Sequence, residues 1–104
     1  YKFTGVALAT TSETTLLTAA ADTTVVIKSI RVTNNTSNTP TISLDLSDDS
    51  ASTEYTILKT QTLAANTAVE LLSVPLVLEE SDALKATMSS TDSTHIGISY
   101  LVIS

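Results

Sequence analysis

A chain of 104 residues without cysteine is the size of one domain and has neither a disulfide framework nor a thiolate metal site to support its core. Its 11 acidic and 5 basic residues give a formal charge of −6 and a pI near 4.3. That balance argues against binding a nucleic-acid backbone, whose affinity comes from lysine and arginine, and no apolar run approaches the roughly 20 residues needed to cross a bilayer. Neither a nucleic-acid nor a membrane partner is expected. With 42% apolar and 15% charged residues, the chain reads as a single folded domain over residues 1–104.

In chain order, strands are expected at Lys2 to Leu8 and Glu13 to Thr18, with room for at most a turn or two of helix around Leu17 to Ala21. The next strand, Thr24 to Asn34, changes parity: Val25 and Ile27 are odd, Ile30 and Val32 even. A bulge near Lys28 and Ser29 would keep all four on one face. Ile42, Leu44 and Leu46 alternate with Thr41, Ser43 and Asp45, the period of a strand with one buried face. Thr53 to Lys59, Ala68 to Leu72 and Leu76 to Glu79 are further strands, followed by Leu84, Ala86 and Met88 alternating with Lys85 and Thr87.

The last run, His95 to Ile103, sets Ile96, Ile98, Tyr100 and Val102 against His95, Gly97, Ser99, Leu101 and Ile103. Its apolar end on both faces predicts a central strand or one covered by a partner. Between the strands lie turns rich in Asn, Asp, Ser and Thr, which tolerate tight backbone where glycine is scarce. Eight or nine short strands so separated predict an all-β antiparallel sandwich, with a jelly roll as one arrangement of it.

Chemistry is hard to assemble from these residues. His95 is the sole histidine and no Gly-x-Ser-x-Gly elbow accompanies it, so it reads as a hydrogen-bonded or surface side chain. Asp45, Asp48, Asp49 and Glu54 could offer oxygens to a hard cation but lack the spacing of a calcium loop. Glu79 and Glu80 are neighbours and so point to opposite faces of an extended backbone. The two glycines, Gly5 and Gly97, lie far apart on their strands, which rules out a glycine-rich phosphate cradle. With no tryptophan and only Tyr1, Tyr55 and Tyr100, stacking platforms are few. No catalytic residue, cofactor or metal site is expected, and the chain does not read as an enzyme.

Two long segments, Leu17 to Asn34 and Leu63 to Thr87, together with the closing Ile98-Ser-Tyr-Leu-Val-Ile103, resemble a group of small β-sandwich virion proteins of tailed bacteriophages. The chain departs from that group in two turns. It has Ala19-Ala20-Ala21-Asp22 in place of a Val-Pro-Ala-Gly-like turn, and Glu80-Ser81-Asp82 in place of Ala-Gly-Asp.

The resemblance implies a structural protein of the phage particle, foremost a capsid decoration or cement protein on the outer shell. Its partner would be the major capsid protein or another virion protein, and its location the capsid exterior or tail. A neck, tail or fibre component is the alternative, and a carbohydrate-binding module a lesser one. A homo-oligomer is expected, with a trimer suited to the three-fold positions of a shell. Tyr1, Phe3, Val6 and Leu8 at one end of the chain and Leu101 and Ile103 at the other are the candidate assembly contacts.

Overall fold

The computed structural model describes residues 2–49, 52–72 and 75–103. Among the described residues there are nine strands: β1 (Lys2–Leu8), β2 (Thr14–Thr18), β3 (Thr24–Asn34), β4 (Thr41–Asp48), β5 (Thr53–Thr62), β6 (Ala68–Glu70), β7 (Leu76–Leu78), β8 (Ala83–Met88) and β9 (Thr94–Ile103). They form two antiparallel sheets packed face to face, the expected β-sandwich. Sheet A has the order β1-β9-β3-β6, with β7 also on β3, and sheet B has the order β2-β8-β4-β5. Among the described residues there is no helix. The Leu17–Ala21 stretch, where a helical turn had room, instead ends β2 and enters the turn to β3.

β6 and β7 act as one interrupted strand. Both run along the same side of β3, β6 opposite Arg31 to Thr33 and β7 opposite Val25 to Ile27. Counting them together, the first strand pairs with the last, the second with the second-last, and so inward to the β4–β5 hairpin. This nesting is the jelly-roll arrangement, in which a long hairpin is folded over into two layers.

The parity break in β3 is a bulge. The register with β9 shifts between Ile27 and Ser29, so Val25, Ile27, Ile30 and Val32 all face the core. They pack with Ile42, Leu44, Leu84, Ile96 and Ile98, all at most 1% exposed. Burying each such side chain contributes about 1.5–3 kcal/mol. A second bulge, between Thr15 and Leu17 of β2, lets two adjacent leucines serve the core, with Leu16 buried and Leu17 packed against the cluster.

At each end of the sandwich a buried polar side chain ties the turns together. At one end Asn34, 1% exposed, donates its amide to the carbonyls of Asn38 (2.8 Å), Ala64 (3.2 Å) and Leu63 (3.3 Å). Its oxygen accepts from the backbone N–H and the hydroxyl of Thr36 at 3.0 and 2.8 Å. At the other end Asp82, 4% exposed, accepts the backbone N–H groups of Asp49 and Glu79, each at 3.0 Å. A carboxylate buried this way is tolerable because both oxygens are hydrogen-bonded. The turns use left-handed Asp22, Asn66 and Ser81, so neither glycine of the chain is spent on a turn.

Candidate functional site

The outer face of sheet A is the part of the surface with the most unusual composition. The register places three strands side by side: Phe3, Ser99 and Ser29 in one row, Gly5, Gly97 and Arg31 in the next, Ala7, His95 and Thr33 in the third. The two glycines, far apart in sequence, are thus direct cross-strand partners. That corrects the expectation that they are separate. With no Cβ on either, the middle row is a floor of bare backbone, and the ring of Phe3 lies across it. A Cβ added to Gly97 would sit 2.9 Å from Phe3 Cε1, and one on Gly5 3.6 Å from Cε2. The three rows line a concavity of about 650 Å³ whose rim carries Arg31 and His95.

Arg31 has no hydrogen bond or ion pair among the described residues. Its direct cross-strand partner is Glu70, the residue that would ordinarily neutralise it. Glu70 is committed elsewhere. Its carboxylate accepts the Ser29 hydroxyl, the Ile30 N–H at 2.7 Å and the Leu72 N–H at 3.3 Å. The β3 bulge frees the Ile30 N–H, Glu70 fills the gap, and the arginine is left facing solvent.

Above the concavity the same face turns apolar. Val77, Val26 and Leu101 lie in one row across β7, β3 and β9, with Ile103 beyond them. Val77 is 49%, Ile103 50% and Phe3 70% exposed. Of the candidate assembly contacts, Phe3, Leu101 and Ile103 therefore do meet on one surface. Val6 and Leu8 do not: Leu8 is buried and Val6 packs against the core, because even positions of β1 face inward. Tyr1 lies outside the described residues.

Sheet B carries its charges differently. Lys85 Nζ sits 3.8 Å from Glu13 and 3.7 Å from Glu54, and Asp45 is its cross-strand neighbour. The carboxylate oxygens of Glu13, Asp45 and Glu54 lie within 4.8 Å of one another. So two of the four acids considered as oxygen ligands come together, joined by Glu13 and with an ammonium group beside them. Asp48 and Asp49 sit at the β4–β5 turn instead. The Glu13 carboxyl is raised above its ordinary range by desolvation, by its hydrogen bond with Glu54 and by the charges of Glu54 and Asp45, against the pull of Lys85. His95 is exposed on the rim of the concavity, and Tyr100 is packed against the core.

No protein-family model and no curated protein matches the chain. Among solved structures, it is similar to the core of Drosophila NLP, a nucleoplasmin, in a structure described as giving insight into pentamer formation and histone binding. The likeness has a TM-score of 0.53 at 18% identity and covers 97% of this chain and 99% of that one. At that identity the likeness is one of fold.

The phage expectation is thereby corrected. The structural likeness is to a nucleoplasmin core and nothing links the chain to a virion protein, so neither the decoration role nor the neck, tail or fibre alternative stands. A capsid partner loses its support with them. The segments that carried the resemblance are strand and turn sequences of the kind any Thr- and Val-rich sandwich needs.

Sequence reasoning had put His95, Gly97, Ser99, Leu101 and Ile103 on one face, and the structure agrees. What it missed was Arg31, Glu70 and the facing of Gly5 with Gly97. The pairing of β1 with β9 would have revealed the last of these.

Proposed function

We propose that this chain is a non-catalytic contact module that works as a homo-oligomer assembled through the outer face of sheet A. The observation that carries this reading is the open face itself: Val77, Ile103 and Phe3, each about half exposed or more, aligned with Val26 and Leu101. A contiguous apolar patch on so small a domain marks an interaction surface. Sheet B exposes Tyr55 and Ile57 on its edge strand β5, beside threonines and a charge cluster gathered on Lys85, and its exposed apolar side chains do not run across several strands as those of sheet A do.

The full-length fold likeness to a pentamer-forming core supports self-association and makes a ring of five the expected order. Histone binding is not carried over to this chain, because at 18% identity the likeness is one of fold. Sedimentation and native mass spectrometry test the reading. A species near five times 10.9 kDa is expected. A chain that stays monomeric at several hundred micromolar would overturn the proposal.

A further inference from the structure

Charge in this molecule is segregated in a way the sequence order hides. The strands of sheet A carry Lys2, Lys28, Arg31 and His95 against a single acid, Glu70, which the bulge has already claimed. The acids collect at the end of the sandwich where the β2–β3, β4–β5 and β7–β8 turns meet: Asp22, Asp48, Asp49, Glu79, Glu80 and Asp82, with no lysine or arginine in those turns.

The three turns are bound into one body. The Ala19 N–H donates to the Asp82 carbonyl (2.9 Å) and the Ser81 N–H to the Ala19 carbonyl (3.0 Å). The Glu80 carboxylate accepts the Asp22 N–H, and Asp82 ties in Asp49 from below. Around this acidic tip Asp22, Glu79 and Glu80 stand beside Ile103, the last residue of the apolar stripe.

The molecule thus has a rigid acidic knob and, on sheet A, a concave site with an unneutralised arginine. One copy cannot satisfy itself. From Gly97 beside Arg31 to Ile103 at the tip is six residues of β9, about 20 Å of extended chain, well beyond any ion pair. We infer that the occupant of the Arg31 concavity is a second copy of this chain, which inserts its Glu79–Glu80 turn so that a carboxylate meets Arg31 beside His95 and Phe3.

The glycine floor lets the Phe3 ring lie close against the strand backbone, which leaves the part of the concavity beside Arg31 and His95 to the incoming turn, and the neighbour's body covers the apolar stripe. Such a contact is heterologous, joining different surfaces of the two copies, and it generates a ring when its rotation closes. The inference rests on the homo-oligomer reading and names its interface.

The test is charge reversal in the full chain, followed by sedimentation at 50 and 500 mM salt, with circular dichroism to confirm that each variant folds. Arg31→Glu is expected to weaken association at least about 30-fold, as loss of a desolvated charge pair does, and Glu79→Lys with Glu80→Lys to do the same. The triple variant, with the charges exchanged, should recover association to within about tenfold. Association of the unaltered chain should weaken at the higher salt.

A wild-type chain that assembles while folded Arg31→Glu assembles equally well would overturn this interface and leave the oligomer reading standing. So would a triple variant no better than its parents. A monomeric wild type would overturn both. Should Glu80→Lys unfold the acidic tip, Glu79→Lys alone carries the reversal, since Glu80, and not Glu79, holds Asp22 through its side chain.

Discussion

The outer faces of the two sheets are built on the same backbone pattern and treat charge in opposite ways. On sheet B, Glu13, Asp45 and Glu54 converge on Lys85, so the charges answer one another within the chain. On sheet A, the acid placed opposite Arg31 is drawn into the β3 bulge, and the arginine stays open beside an apolar stripe. The difference teaches that a single backbone irregularity can decide which face of a sandwich pairs its own charges and which leaves one open. One extra residue at Lys28 exposes an N–H, the N–H recruits Glu70, and the recruitment unpairs Arg31.

Substitutions at three positions bear on that contrast. The largest effect is expected from Glu70→Ala, which strips the Ile30 and Leu72 N–H groups and the Ser29 hydroxyl of their acceptor. Of these the Ile30 N–H is partly buried and the other two are exposed; leaving the partly buried donor unsatisfied costs about 1–3 kcal/mol, roughly 5–15 °C in melting temperature for a domain of this size. If melting were unchanged, Glu70 would not be the group that stabilises the bulge. The loss should be smaller in Glu70→Gln, whose amide oxygen still accepts.

Gly97→Ala probes the floor of the concavity. The added Cβ meets the far end of the Phe3 ring and no backbone atom closer than 4.0 Å, so the ring is expected to swing away. A strand alanine gains about 0.5–1 kcal/mol over glycine, which offsets much of the lost ring contact. Stability should therefore stay within about 1 kcal/mol of wild type while the NOE between the Phe3 ring and residue 97 disappears. Absence of that NOE in the unaltered chain would mean the ring is not resting on the glycines.

The smallest effect belongs to Glu13→Gln on sheet B. Because the folded-state pKa of Glu13 is raised above 4.5, the folded protein holds that proton more tightly than the unfolded chain. This contribution to stability is fully present below pH 4.5 and is lost as pH rises through the folded value. The variant should be equal to wild type or slightly more stable at pH 7, with the advantage gone near pH 4. A variant destabilised equally at both pH values would point to a packing role for the side chain.

Much of the fold can be read directly from the order of residues, because a strand with one buried face writes its period into its side chains. Ile42 to Leu46, Leu84 to Met88 and Ile96 to Val102 show it plainly, and the parity break in β3 announced its bulge. The helical turn around Leu17 failed because the Leu16–Leu17 pair suits either a helix or a bulged strand, and only the neighbouring strand decides.

β5 is harder for a similar reason. Its register with β4 shifts on both sides of Leu44, which erases alternation along an exposed edge. The candidate site was legible only in halves: the β9 residues could be placed on one face, but Gly5, Arg31 and Glu70 join them through pairings between distant strands. The phage reading failed at the level of function, where strand and turn composition carries no information about partners.

The nested pairing also bears on how the chain reaches this state. The β4–β5 hairpin is the one contact in the series that closes a short loop. Once it has formed, β3 can meet β6 and β7 at the entropic cost of the residues between them alone, and each pair zipped outward shortens the effective loop for the next. β1 and β9 would otherwise have to find each other across the whole chain, and topology of that kind folds slowly. The strand that carries Phe3 and Gly5 is the outermost in this series, so zipping in this order would complete the proposed contact surface last, after the core beneath it has closed.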